Sequence, residues 1–449
     1  MKIGSVNYSI NAQKGLRFDA SFHLSEGLLV KRKIASLPYE MLTIKDVSSD
    51  IFYGNRAKRV YVSKREKGIP FLSSSDILQA DLENVKLASK KYTPCIEQMT
   101  LEKGWTLISR SGTIGNCAFA NAKHAQKLAS EHVIRLVPNN ILRGGLVYAY
   151  LASSHGHALL TQGTFGAVIQ HIEPNFIASL PIPKFPDAFQ NEVDGLIQES
   201  AQNRESAAEN LNKAIELFEA EIGKFSVNFG FNLKIISNKC LCGKFKRFDS
   251  QYQIGKEELK KYGRTVKIGE VKSKIFIGNR GKRMYVTNGV PFLSSSDMIL
   301  ANPLRFCKYI SKASPALSDM KVGYKDILIS RSGTVGNTII VGKSLNGIAV
   351  SEHAMRLVID PNKIAPEYVY AYFLTQHGQD ALHTLPYGSV IVTLGEEFLA
   401  DIDLPILEES KMESINKMIS SYMNCLDDAI AKENKAISMV EQEIEKWNN

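Results

Sequence analysis

Four short blocks in this chain carry side chains that could do chemistry, three of them suited to gripping a polyanion, and each block occurs twice. "GNRAKR" at 54–59 presents Arg56, Lys58 and Arg59, and "GNRGKR" at 278–283 answers with Arg280, Lys282 and Arg283. Clustered guanidinium and ammonium groups neutralise phosphates, the sequence-independent part of nucleic-acid binding. "PFLSSSD", at 70–76 and again at 291–297, supplies Ser73, Ser74 and Ser75, then Ser294, Ser295 and Ser296. Those hydroxyls could donate to phosphates or read base edges; equally, Ser and Asp cap helices. "LISRSGTIGN" at 107–116 and "LISRSGTVGN" at 328–337 set Arg110 and Arg331 beside a glycine turn. There a guanidinium could reach phosphate or guanine, the alternative being an ion pair within the domain.

The fourth block, "SEH", at 130–132 and 351–353, raises hydrolysis as a possibility. Neighbouring residues in a strand point to opposite faces, so Ser130, Glu131 and His132 are not expected to converge as a triad, and the G-x-S-x-G elbow is missing. Walker, dinucleotide, H-E-x-x-H and amino-methylase signatures are missing as well. The residues describe a binder.

The elements that must position these blocks follow from the repeat itself. "SRSGT", "SEH" and "PFLSSSD" recur at one offset of 221, and "RFDA" at 17–20, "VYAYL" at 147–151, "GAVI" at 166–169 and "LPIP" at 180–183 have later counterparts in the same order. On sequence, "LPIP" pairs with "LPIL" at 404–407. So long a period excludes a solenoid and indicates a duplicated domain.

Each copy is followed by a stretch with helical rhythm, 187–226 and 407–449. In the first, Leu211, Ile215, Phe218, Ile222 and Phe225 mark an apolar seam; in the second, Ile437, Val440, Ile444 and Trp447 lie in the same register. The expected organisation is recognition domains at 1–186 and 227–406, with spacer helices at 187–226 and 407–449. The fold class is α+β, two similar mixed domains joined by an antiparallel coiled coil with pseudo-twofold repetition. A helix of about 40 residues spans roughly 60 Å.

The 449 residues are 44% hydrophobic with a net charge of +9, which suits a polyanionic partner. Basic residues concentrate in the repeated halves and acidic ones in the helices. Six scattered cysteines, including "CLC" at 240–242, lack the spacing of a structural zinc site, so no metal is expected. With no long apolar run or leader-like start, a cytoplasmic protein without membrane association is expected.

Taken with the duplicated order, "RFDA", "LISRSGTIGN", "SEHVIRLV" and "LPIPKF" resemble the specificity (S) subunits of type I restriction-modification systems, over essentially the whole chain. The resemblance implies a non-catalytic subunit whose two target recognition domains each read part of a split sequence in double-stranded DNA. It implies a coiled coil that sets the gap and docks DNA methylase subunits, two of them, with restriction or motor subunits joining the complex. S-adenosylmethionine would sit on the methylase and no cofactor on this chain. A "PPLxEQ" at each helix head is replaced here by "PKFPDAFQNEV" and "PILEESKMESI". A specificity subunit of a type IIB or phage-exclusion system is the nearest alternative, then a tandem nucleic-acid-binding regulator without methylase partners.

Overall fold

The computed structural model describes residues 26–56, 58–162, 171–223, 263–388 and 392–447, with 245, 247, 249, 252, 253 and 255. "RFDA", Phe225, Cys240 and Cys242 lie outside them. The chain forms two compact units, Met1–Glu205 with Asp428–Asn449, and Ser206–Asp427. Each unit therefore takes one repeated domain together with part of both long helices. Among the described residues no helix is long and apolar enough to cross a membrane.

In the first unit the strands are β1 (Met41–Thr43), β2 (Ser48–Tyr53), β3 (Tyr61–Val62), β4 (Gly68–Leu72), β5 (Leu87–Ser89), β6 (Thr106–Ser109), β7 (Cys117–Phe119), β8 (Leu128–Ala129), β9 (Val133–Pro138) and β10 (Pro181–Pro183). The second unit repeats them as β11 (Thr265–Lys267), β12 (Lys272–Ile277), β13 (Tyr285–Val286), β14 (Val290–Leu293), β15 (Lys308–Ile310), β16 (Ile327–Ser330), β17 (Thr338–Ile340), β18 (Ala349–Val350), β19 (Ala354–Ile359) and β20 (Asp403–Pro405). One antiparallel sheet runs β2-β9-β6-β7, and its counterpart runs β12-β19-β16-β17. A second, mixed sheet runs β3-β5-β4-β8, matched by β13-β15-β14-β18. The paired strands β1 and β10 align Ile182 with Leu42, and β11 with β20 aligns Leu404 with Val266. Ile182 thus corresponds to Leu404, which moves the "LPIP" equivalence two residues from the pairing read off the letters.

Burial explains why β9 is central. Val133, Ile134 and Leu136 are all inaccessible, because the strand is covered on both faces and its sequence is nearly continuous in apolar residues. The helix Gly144–Ala152 is buried from Gly145 to Ala152, and so carries no polar face.

The long helices are Asp187–Ile222 and Glu409–Lys446. Within the first unit they run antiparallel, with Glu192 paired to Lys435 and Ser200 donating to the Ala429 carbonyl at 2.8 Å. Val193, Ile197, Ala436, Ile437, Val440 and Ile444 belong to the same core as Tyr148 and Leu146. In the second unit Ala214, Phe218, Ile415 and Ile419 join the core around Tyr368 and Tyr372, with Leu211 and Ile222 packed against it. Two expected seam residues fall elsewhere. Ile215 is half-buried while Ala214 takes the buried place, and Trp447 is 46% exposed, its indole N–H donating to Glu443 at 3.1 Å. The reason is geometric: each helix faces both its partner and the domain, so the buried stripe is broader than a two-helix seam and rotated toward the domain.

Glu205 and Asp427 fasten these helices to matching loops. Glu205 accepts the Ala122 N–H at 2.8 Å, and Asp427 accepts the N–H groups of Lys343 and Ser344 at 2.8 and 2.9 Å.

Close to the first of these loops, His124 is buried between the Asn121 side-chain oxygen at 2.9 Å and the Ile77 carbonyl at 3.2 Å. Burial pushes its pKa down to about 4, and the neighbouring charges of Lys123, Lys127 and Arg204 push the same way. The folded imidazole stays neutral while the unfolded one takes a proton near 6.5, so stability present above that pH is lost as pH falls toward about 4. The loss is roughly 3 kcal/mol. Replacing His124 with Leu, the residue at the corresponding position 345, is expected to flatten the acid limb of the first unit's melting profile; an unchanged limb would assign acid sensitivity to another group.

Candidate nucleic-acid interface

All four recurring blocks meet where β9 and β19 begin. Parallel pairing of β4 with β8 carries "SSSD" to "SEH", and the Ser130 N–H donates to the Leu72 carbonyl at 2.9 Å. In the second unit Ser351 donates to the Leu293 carbonyl at 3.0 Å. Antiparallel β6 and β9 bring up "SRSGT", with the Arg110 N–H donating to the His132 carbonyl at 2.8 Å. Arg331 repeats this on His353 at 2.9 Å. Gly112 and Gly333 turn the chain there with φ of +78° and +77°, the left-handed region that favours glycine. Finally, β2 and β12 pair with β9 and β19 and deliver "GNR-x-KR" to the same corner.

At its centre lies one carboxylate per unit. Arg59 pairs with Glu131 and stacks 4.8 Å from the Phe71 ring centre; Arg283 pairs with Glu352 and stacks 4.7 Å from that of Phe292. These arginines are fixed within the fold. Arg56 and Arg280 approach the same carboxylates at 4.0 and 3.3 Å, yet their side chains are 91% and 85% exposed. Lys58 and Lys282 are exposed beside them. Each corner thus presents an excess of positive charge around one acidic anchor.

The serine runs divide into two roles. The Ser73 N–H donates to Asp76 at 2.8 Å while the Asp76 N–H donates back to the Ser73 hydroxyl at 3.3 Å, and Ser294 with Asp297 makes the same reciprocal cap. Ser75 and Ser296 lean on the first serine of each run at 3.0 and 2.9 Å. Ser74 and Ser295 are half-buried between them. Arg110 is held by an ion pair to Glu173 and lies 4.4 Å from the Tyr53 ring centre. The Arg331 side chain makes one hydrogen bond among the described residues, from Nε to the Leu394 carbonyl at 3.5 Å.

Two further pairs of residues, the serines Ser111 and Ser332 and the arginines Arg135 and Arg356, shape the corner without having been singled out in the sequence. Ser111 bonds His132 Nδ1 at 2.7 Å, and Ser332 bonds His353 Nδ1 at 2.6 Å. The serine beside each histidine therefore comes from "SRSGT", whereas Ser130 is buried. The Glu131 carboxylate lies 3.7 Å from His132 Nε2, too far for a hydrogen bond, and is engaged by Arg59, so it does not orient the ring as a triad acid would. Burial lowers the His132 pKa.

Arg135 and Arg356 are fully buried. Arg135 donates to the carbonyls of Ala129 at 2.6 Å, Val133 at 2.7 Å, and Ser130 and Met99 at 3.2 Å. Arg356 does the same for Met320 at 2.6 Å, Lys321 at 3.3 Å, Val350 at 3.4 Å and Asp319. They tie the "SEH" loop to the sheet. The signal for them was a single charge inside an otherwise apolar strand, present in both copies.

Residues 38–217 match the type I restriction modification DNA specificity domain, and the match spans all four blocks of the first unit. Residues 38–217 belong to that specificity family. The second unit repeats the blocks and the strand order. Among solved structures, the type I restriction-modification S subunit from M. genitalium is similar at 14% identity, with 92% of this chain and 96% of that one covered and a TM-score of 0.37. The HsdS subunit from Thermoanaerobacter tengcongensis is similar at 13%, covering 92% and 97%, with a TM-score of 0.30. A chain from a structure concerned with complex assembly and conformational transition of the type I R-M system is similar at 14%, covering 91% and 98%, with a TM-score of 0.28. No curated protein matches.

Proposed function

We propose that this specificity protein is a non-catalytic, sequence-reading subunit in which each unit engages one half of a bipartite site on double-stranded DNA. The single observation that carries this reading is the corner built twice, with Arg56 and Lys58, then Arg280 and Lys282, exposed around an acidic anchor. The long helices set the spacing of the half-sites, since 36 and 38 residues correspond to about 54 and 57 Å. They also dock two methylase subunits, which hold S-adenosylmethionine and perform the chemistry, and restriction subunits join that assembly. Because the corners share their residues, the half-sites are related in sequence.

Phosphate contacts by Arg56 and Arg280 have a measurable signature. Removing both with Arg56→Ala and Arg280→Ala is expected to flatten the salt dependence of duplex binding, by about 0.9 in the log–log slope for each arginine. Unchanged slopes would place the phosphates elsewhere. The decisive experiment for the whole reading maps methylated adenines in host DNA with and without the gene, then after exchange of one recognition domain. One half of the methylated motif should change; a change in both halves, or none, overturns it.

A further inference from the structure

The two corners differ at the arginine beside the glycine turn. Arg110 and Arg331 have the same backbone setting, each receiving its neighbours through matching bonds: Arg110 to His132 and Ile172, Arg331 to His353 and Leu394. Their side chains do not. Glu173 and Tyr53, which pair with and stack on Arg110, are replaced at the corresponding places by Gly395 and Ile277. Arg110 is left with a side chain only 14% exposed. Arg331 forms no ion pair and no ring stack with any described residue, and the nearby Glu396 carboxylate is taken by the Ile277 N–H at 3.0 Å.

Resting on the DNA-reading function above, we propose that Arg331 is a DNA contact specific to the second unit, while Arg110 is a locked strut. A guanidinium is always charged and carries a fixed fork of donors, so one without a protein carboxylate is matched by a phosphate or by a guanine edge. The consequence is an asymmetric site. The half read by the second unit carries a requirement that the first half lacks, although the rest of the two corners is shared.

The lock can be moved between the units. Gly395 has φ −96° and ψ 152°, close to the −115° and 150° of Glu173, and both precede a short helix. The three atoms nearest a Cβ built there all belong to the end of the Glu397 side chain, Oε1 being closest at 2.9 Å, and that end can swing away. Gly395→Glu is therefore compatible with the backbone.

The test measures binding of the full chain to a mixed-sequence duplex over a range of salt, and selects preferred sequences from a randomised duplex library. Arg331→Ala is expected to weaken binding about tenfold or to relax the preference in one half-site only. Arg110→Ala should do neither. Gly395→Glu should reproduce Arg331→Ala with the arginine still present, and Glu173→Gly should strengthen binding by freeing Arg110, a gain that a misfolded variant could not produce. Equal effects of Arg331→Ala and Arg110→Ala, or a silent Gly395→Glu in a chain of unchanged melting temperature, overturn the assignment while leaving the DNA-reading function intact. A wild-type chain that binds no duplex overturns both.

Discussion

Replacing Arg356 with Met should lower the melting temperature of the second unit sharply and abolish its share of DNA binding. The guanidinium is fully buried and donates to the carbonyls of Met320, Lys321, Val350 and Asp319. Burial holds its pKa down, at about 10, still well above neutral, so it stays charged in the fold. Methionine fills much of the same space and satisfies none of the carbonyls, each of which then bears a desolvation cost of about 1–3 kcal/mol. These costs do not add fully because the site relaxes, and the net loss expected on removing a buried, partnered charge is about 3–5 kcal/mol, a large part of a typical domain's stability. Function fails for a second reason, since Val350 immediately precedes the loop carrying Glu352 and His353. Arg135→Met should act in the same way on the first unit. Either variant melting like the wild type would show that these arginines are not what ties the loop down.

The second large effect lies in the helix pair of the first unit. Glu433 is 4% exposed, is paired with Arg204 at 2.7 Å and accepts from the Tyr148 hydroxyl. Glu433→Ala strands a guanidinium in a nearly buried place, with an expected cost of about 3–5 kcal/mol. The corresponding second-unit residues are Leu211 and Leu426, and Tyr370 there bonds Tyr422 at 3.2 Å. Combining Arg204→Leu, Glu433→Leu and Tyr148→Phe should therefore recover most of the stability lost in Glu433→Ala. A charged layer present in one half of the antiparallel pair and replaced by leucines in the other distinguishes the two ends, as a buried polar residue fixes register in coiled coils. Thermal unfolding of the single and triple variants decides the point: a Glu433→Ala chain as stable as the wild type would remove the layer from any structural role.

Much of this protein could be read from its letters because the informative patterns were local or repeated. Duplication is visible in block order and the long helices in apolar rhythm, and the proposed binding role starts from the recurrence of Arg56, Lys58, Arg280 and Lys282 at matched places. The register of the "LPIP" strand was not, since β20 is set by its pairing with β11 and the letters slide by two. Nor was the division of each helix between two cores, which depends on surfaces remote in sequence.

The sequence by itself determined that two like domains would each carry a basic corner, because composition and repeat order need no third dimension. Only the tertiary structure decided what each arginine does: Arg135 and Arg356 hold backbone carbonyls, Arg59, Arg283 and Arg110 are pinned by carboxylates, and Arg56 and Arg280 stand exposed. The physical reason is that a charge takes its role from burial and from the partner that neutralises it. For Arg110 that partner is Glu173, 63 residues away along the chain and brought close only by the fold.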